Sequence, residues 1–105
     1  MEVICINGKF PPETVAFYTQ YGVQSPKQDK IYNIRQVINH ATKPGDGNKI
    51  GVLLEELKNP KVPVQNPILG ETMMEPTFDI KRFSNLDGTE INEKELIKET
   101  IKNKI

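Results

Sequence analysis

The stretch Lys30-Ile31-Tyr32-Asn33-Ile34-Arg35-Gln36-Val37-Ile38-Asn39 decides the fold, together with Lys49-Ile50-Gly51-Val52-Leu53-Leu54-Glu55-Glu56-Leu57, which follows a Pro44-Gly45-Asp46-Gly47-Asn48 punctuation. Two apolar, β-branched runs separated by turn formers read as consecutive antiparallel strands. In the first, Tyr32 and Ile34 share a face by alternation, but Val37 and Ile38 break the period of two. One extra residue near Arg35-Gln36 restores inward packing, which predicts a β-bulge there. In the second, Ile50, Val52 and Leu54 face one side, and Leu53, Glu55 and Leu57 the other. Apolar residues on both sides as far as Leu54 predict a central strand.

Working outward, Glu2 to Asn7 reads as a first strand and Asn7-Gly8 as a turn. Pro11-Pro12 argues against a clean helix start, so 13–21 reads either as a short helical turn or as an irregular loop pressed onto the sheet. Val15, Phe17, Tyr18 and Tyr21 supply its apolar side. Residues 40–48 form a loop in which Gly45 and Gly47 accept positive φ and Pro44 fixes a turn. Prolines at 60, 63, 67 and 76 predict that 58–76 is mostly unpaired, with Val62, Val64, Ile68 and Leu69 covering an open barrel end. Residues 77–83 read as one strand with Phe78 and Ile80 on one face, closed by a turn at Leu86-Asp87-Gly88. Asn92 and Glu95 form a capping pair, and Ile97, Ile101 and Ile105 recur at helical spacing beside Leu96, with Lys94, Lys98 and Lys102 on the solvent side. The expectation is a mainly β fold: a small antiparallel barrel over 1–90 with an amphipathic α-helix over 91–105 packed on it.

The totals narrow the function classes. A chain of 105 residues holds one domain with a modest core, so a shallow groove is expected in place of an enclosed chamber. Fourteen basic and fourteen acidic residues cancel, which argues against a duplex nucleic-acid partner. The same neutrality leaves little repulsion against self-association, so a homo-oligomer is compatible. Cys5 is the only cysteine and has no partner for an internal disulfide, which points to a reducing compartment. No signal-like or membrane-spanning apolar run is apparent, so no membrane partner is expected.

Few residues carry reactive chemistry. His40 is the only histidine, sits at a strand end, and has no sequence-adjacent orienting carboxylate or nucleophile. Cys5 lies between isoleucines, a setting that disfavours the thiolate. One histidine and one cysteine fall short of a structural zinc site, and Glu55 and Glu56 point to opposite faces of a strand. Gly45-Asp46-Gly47-Asn48-Lys49 lacks the ending of a phosphate loop and precedes a strand, so it reads as a turn. Pro60-Lys61-Val62-Pro63 has Pro-x-x-Pro spacing, but reads as part of the covering loop. The aromatics offer the best binding candidate. Phe17, Tyr18, Tyr21, Tyr32, Phe78 and Phe83 either fill a lean core or, with Arg35 and Arg82, line a stacking groove.

Val3-Ile4-Cys5-Ile6-Asn7, Lys30-Ile31-Tyr32-Asn33-Ile34, Gly51-Val52-Leu53-Leu54-Glu55-Glu56 and the Phe78-to-Phe83 stretch together resemble a group of small SH3-like barrel proteins of bacteria and their phages. The resemblance covers most of residues 1–85 and rests on packing motifs. The chain departs from that pattern in its proline-rich insertion and in the loop after Asn39. The resemblance implies a fold and brings no activity with it. The expected function is therefore a non-enzymatic module, with no cofactor or metal, in the cytoplasm of a bacterium or phage-infected cell. It recognises a protein or peptide partner through Tyr18, Tyr21, Tyr32, Arg35 and Arg82. Two alternatives stand beside it. One is a phage counter-defence protein sequestering a small nucleotide signal, its phosphate held by Arg35, Arg82 or nearby lysines. The other is a virion or assembly component.

Overall fold

The computed structural model describes residues 1–39, 49–66 and 70–96. Its centre is the predicted strand pair: β2 (Ile31–Asn39) runs antiparallel to β3 (Ile50–Leu54), and β3 is buried along its whole length. Ile34 lies opposite Leu54 and Gln36 opposite Leu53, so the register skips Arg35 and the bulge falls where the hydrophobic pattern places it. Past it, Val37 pairs with Val52 and again packs against the core.

The other strands extend this pair on both sides. β1 (Glu2–Cys5) pairs with β2, Val3 opposite Tyr32. β6 (Phe78–Asp79) adds to β3 and β7 (Phe83–Ser84) adds to β1, giving one antiparallel sheet in the order β6-β3-β2-β1-β7. The fold is thus mainly β and antiparallel, as expected. The sheet is open: among the described residues no ladder joins its edges β6 and β7. Val3, Cys5, Tyr32, Val52, Leu54, Phe78 and Phe83 form the core with Ile50, Ile80, Ile91 and Leu96.

Three local expectations are corrected. The single strand over 77–83 is broken by a 3₁₀ turn at Ile80–Arg82, because the Asp79 carboxylate accepts from Lys81 N (2.9 Å) and caps a tight turn. The 58–76 segment contains a ladder: β4 (Val62–Asn66) and β5 (Gly70–Met74) form a separate two-stranded antiparallel sheet. Pro63 sits opposite Met73, where a two-stranded ribbon loses at most one ladder bond to a proline. Val62 is buried, whereas Ile68 and Leu69 lie outside the described residues.

The third correction concerns Pro11-Pro12. They begin α1 (Pro12–Tyr21): Pro12 occupies the first helical turn, where its missing N–H costs nothing and its fixed φ is already helical. The helix ends in a Schellman arrangement, with Gly22 at φ 71°, its N–H directed to Thr19 O, and Val23 N donating to Tyr18 O at 2.9 Å. No residue of α1 is buried, so the helix lies on the sheet without entering the core.

At the other end, Asn92 Oδ1 accepts from Lys94 N (3.1 Å) and Glu95 N (3.3 Å), starting a helical turn at 93–96 that buries Leu96. The predicted continuation through Ile97, Ile101 and Ile105 lies outside the described residues, as do His40 and the 41–48 loop. Among the described residues no helix is long and apolar enough to cross a membrane.

Candidate functional site

α1 presents its aromatic side chains as a row. Tyr21 and Phe17 have ring centroids 4.9 Å apart, Phe17 and Tyr18 6.3 Å, and Tyr18 and Phe10 5.5 Å in an edge-on arrangement. All four rings are part-exposed. Behind them the buried Phe78 ring meets Tyr18 at 6.2 Å and Phe10 at 6.3 Å, both edge-on, so the row is moored to the core at one end. The exposed Val15 extends the apolar surface along the helix.

The row ends at Arg82. Its guanidinium carbon lies 3.8 Å from the Phe10 ring centroid, a stacked cation–π contact. Nη1 donates to Asn7 O (3.1 Å) and Lys9 O (2.7 Å), while Arg82 O accepts from Ile6 N at 2.7 Å. Backbone, ring and carbonyls thus fix this side chain from three sides. Burial pushes the Tyr18 phenol above its ordinary pKa, opposed by the nearby Arg82 charge. Burial also raises the Cys5 thiol, against the lowering influence of the Asn7 amide and Arg82. Cys5 therefore stays a core residue and not a poised nucleophile.

The five residues predicted from sequence have different fates. Tyr18 and Tyr21 share the row, and Arg82 closes it. Tyr32 does not belong to a recognition face: it is 1% exposed, its ring sits edge-on to Phe83 at 6.5 Å, and its hydroxyl accepts from Lys27 N at 2.8 Å. Its alternation with Ile34 already pointed it inward.

Arg35 lies in a different contact set. The bulge turns its side chain so that Nε donates to Leu54 O (3.0 Å), and its guanidinium pairs with Glu75. Glu75 also accepts from Asn59 N (3.0 Å), and the Asn59 side chain bonds both Gln24 N (2.8 Å) and Gln24 O (3.0 Å). This chain of contacts staples β2 to the segments around 24, 59 and 75. Among the described residues Arg35 and Arg82 have no contact partner in common.

Sequence reasoning missed Phe10. The available signal was an aromatic immediately before a Pro-Pro helix start, where the entering chain must turn against something. Two surface depressions lie elsewhere. One of about 240 Å³ is lined by Ile6, Phe83, Ser84 and Ile91, and one of about 440 Å³ by Lys49, Thr77, Asp79 and Lys81. Neither includes a ring of the row. Among the described residues no three histidine, cysteine or carboxylate side chains converge as a metal site would require. No family model, curated protein or solved structure matches this chain.

Proposed function

We propose that the five-stranded sheet is an SH3-like barrel and that the protein is a non-enzymatic module binding an extended segment of a protein partner along the Tyr21-Phe17-Tyr18-Phe10 row. The barrel reading is supported by the strand order, by the 3₁₀ turn between β6 and β7, and by the bulge that lets the long β2 serve both halves of the sheet. The single observation carrying the function is the row itself: four adjacent, part-exposed rings, three on a surface helix and Phe10 just before it, backed by a buried fifth. Stiff aromatic side chains give large contact area at low entropy cost, and aromatic ridges suit extended apolar or proline-containing segments.

The nucleotide-sequestering alternative draws less support, because one of its two candidate arginines, Arg35, is already paired with Glu75. The test is a double substitution, Phe17→Ala with Tyr21→Ala. Both side chains lie at the outer end of the row, so the fold should survive, read by an unchanged circular-dichroism melt within a few degrees. Affinity for peptides selected on the wild-type chain should fall at least ~10-fold, about 1.4 kcal/mol. Undiminished binding in the folded double variant overturns the reading.

A further inference from the structure

Resting on the peptide-binding reading, we infer that the partner segment carries a carboxylate next to its apolar residues, and that Arg82 is the group that receives it. The reason lies in what Arg82 has and what it lacks. Its Nη1 is occupied by two carbonyls and one flat face by Phe10, so orientation and rotamer are set before any ligand arrives. Those contacts leave Nε and Nη2 as the donors for which the described residues provide no hydrogen-bond acceptor. No carboxylate among the described residues lies within ion-pair distance of it; the one such pair is Arg35 with Glu75. The nearby Asp29 is felt, with Arg82, at Cys5, but it does not pair with the guanidinium.

A guanidinium held by neutral carbonyls and a ring keeps its full charge and a free fork edge. That geometry suits planar, bidentate carboxylate recognition. Its stacking on Phe10 puts the charge beside the apolar contacts, and the exposed Lys9 next to it adds to the positive field. The occupant is therefore an extended peptide in which an Asp or Glu side chain, or a terminal carboxylate, adjoins an apolar or proline residue.

The experiment pans a random twelve-residue peptide library on the full chain, then measures the enriched peptides by fluorescence polarisation with each carboxylate replaced by its amide. The expected result is a carboxylate at constant spacing from an apolar or proline residue, and at least a ~10-fold weakening on its conversion to amide. That penalty should shrink below about threefold in Arg82→Lys, which cannot hold the carbonyls and fork a carboxylate together. It should also shrink in Phe10→Leu, which keeps the charge but removes the stacking face. Should Arg82→Lys not fold, the Phe10→Leu variant and the amide swap on wild type still decide the matter. Peptides that need Phe17 and Tyr21 but bind equally as acid or amide overturn the carboxylate inference and leave the peptide reading standing. An amide penalty of undiminished size in both variants also overturns it, since the carboxylate is then read elsewhere. Failure to enrich any peptide that depends on Phe17 and Tyr21 removes both.

Discussion

Arg35 and Arg82 are the chain's two arginines, and they sit in opposite electrostatic settings. Arg35 is ion-paired, its side chain and that of Glu75 being 19% and 20% exposed, inside a network of backbone and amide contacts. Arg82 is held instead by two carbonyls and a ring, with no anion among the described residues. One charge is spent on holding three segments together; the other is positioned and left available. Residue type and partial burial are the same in both regions. The identity of the acceptor distinguishes a structural cation from one free to meet a ligand.

The largest expected effect comes from disturbing the second region without touching its charge. Gly8 lies between the two residues whose carbonyls Arg82 grips, and a Cβ there would meet the backbone nitrogen of Gln28 at 2.7 Å. Backbone cannot swing away as a side chain does, so Gly8→Ala must push the segment around Gly8 away from the one around Gln28. A loss of about 2–3 kcal/mol is expected, read as a lower urea midpoint at unchanged slope. Wild-type stability would mean that the loop gives way freely, and Arg82 would then not be held in a preset orientation.

Next in size, Glu75→Ala makes the first arginine resemble the second. Arg35 loses its counter-charge and Asn59 N loses its acceptor, while Leu54 O still receives Nε. The expected cost is about 1–2 kcal/mol, nearer the upper end if water cannot reach Asn59 N. Peptide affinity at the aromatic row should stay within twofold, because the two arginines have no contact partner in common among the described residues. A large loss of affinity with intact folding would break the division of labour between them.

How far the sequence foretold these regions depends on the range of the interactions. The β2 bulge was legible because Ile34 and Val37 both need the core and a strict period of two cannot supply it. The inward face of Tyr32 was equally legible from its alternation with Ile34, yet its amphipathic ring drew it into the expected binding set. Prolines misled twice: Pro12 begins a helix, where its missing N–H costs nothing, and Pro63 sits in a two-stranded ribbon that loses at most one ladder bond to it. The 3₁₀ turn was hidden because Phe78, Ile80 and Phe83 are all buried, and a strand pattern accounts for the first two. The Arg35–Glu75 pair joins residues on separate elements that no local pattern couples, so the fate of that charge could not be read from neighbours. Arg82 and Tyr18 stood out as residue types, but what fixes them, Phe10 and the 7–9 carbonyls, comes only from the folded chain.

The smallest effect bears most directly on that pairing. Burial raises the Tyr18 phenol and the Arg82 charge works against it, so the net folded value lies above the ordinary tyrosine value of about 10. The neutral phenol is thus the form that the fold favours. Its contribution to stability is complete below the unfolded pKa and is lost as pH rises through the higher folded one. Subtracting the near-ultraviolet titration of Tyr18→Phe from that of wild type isolates this group. Repeating the subtraction in an Arg82→Gln background should move its midpoint to still higher pH, since the opposing cation is gone. In Glu75→Ala it should stay where it was, because the altered charge belongs to the other arginine. If Glu75→Ala moves the Tyr18 midpoint as much as Arg82→Gln does, the two regions share one electrostatic field, and the contrast between a spent and an available charge no longer holds.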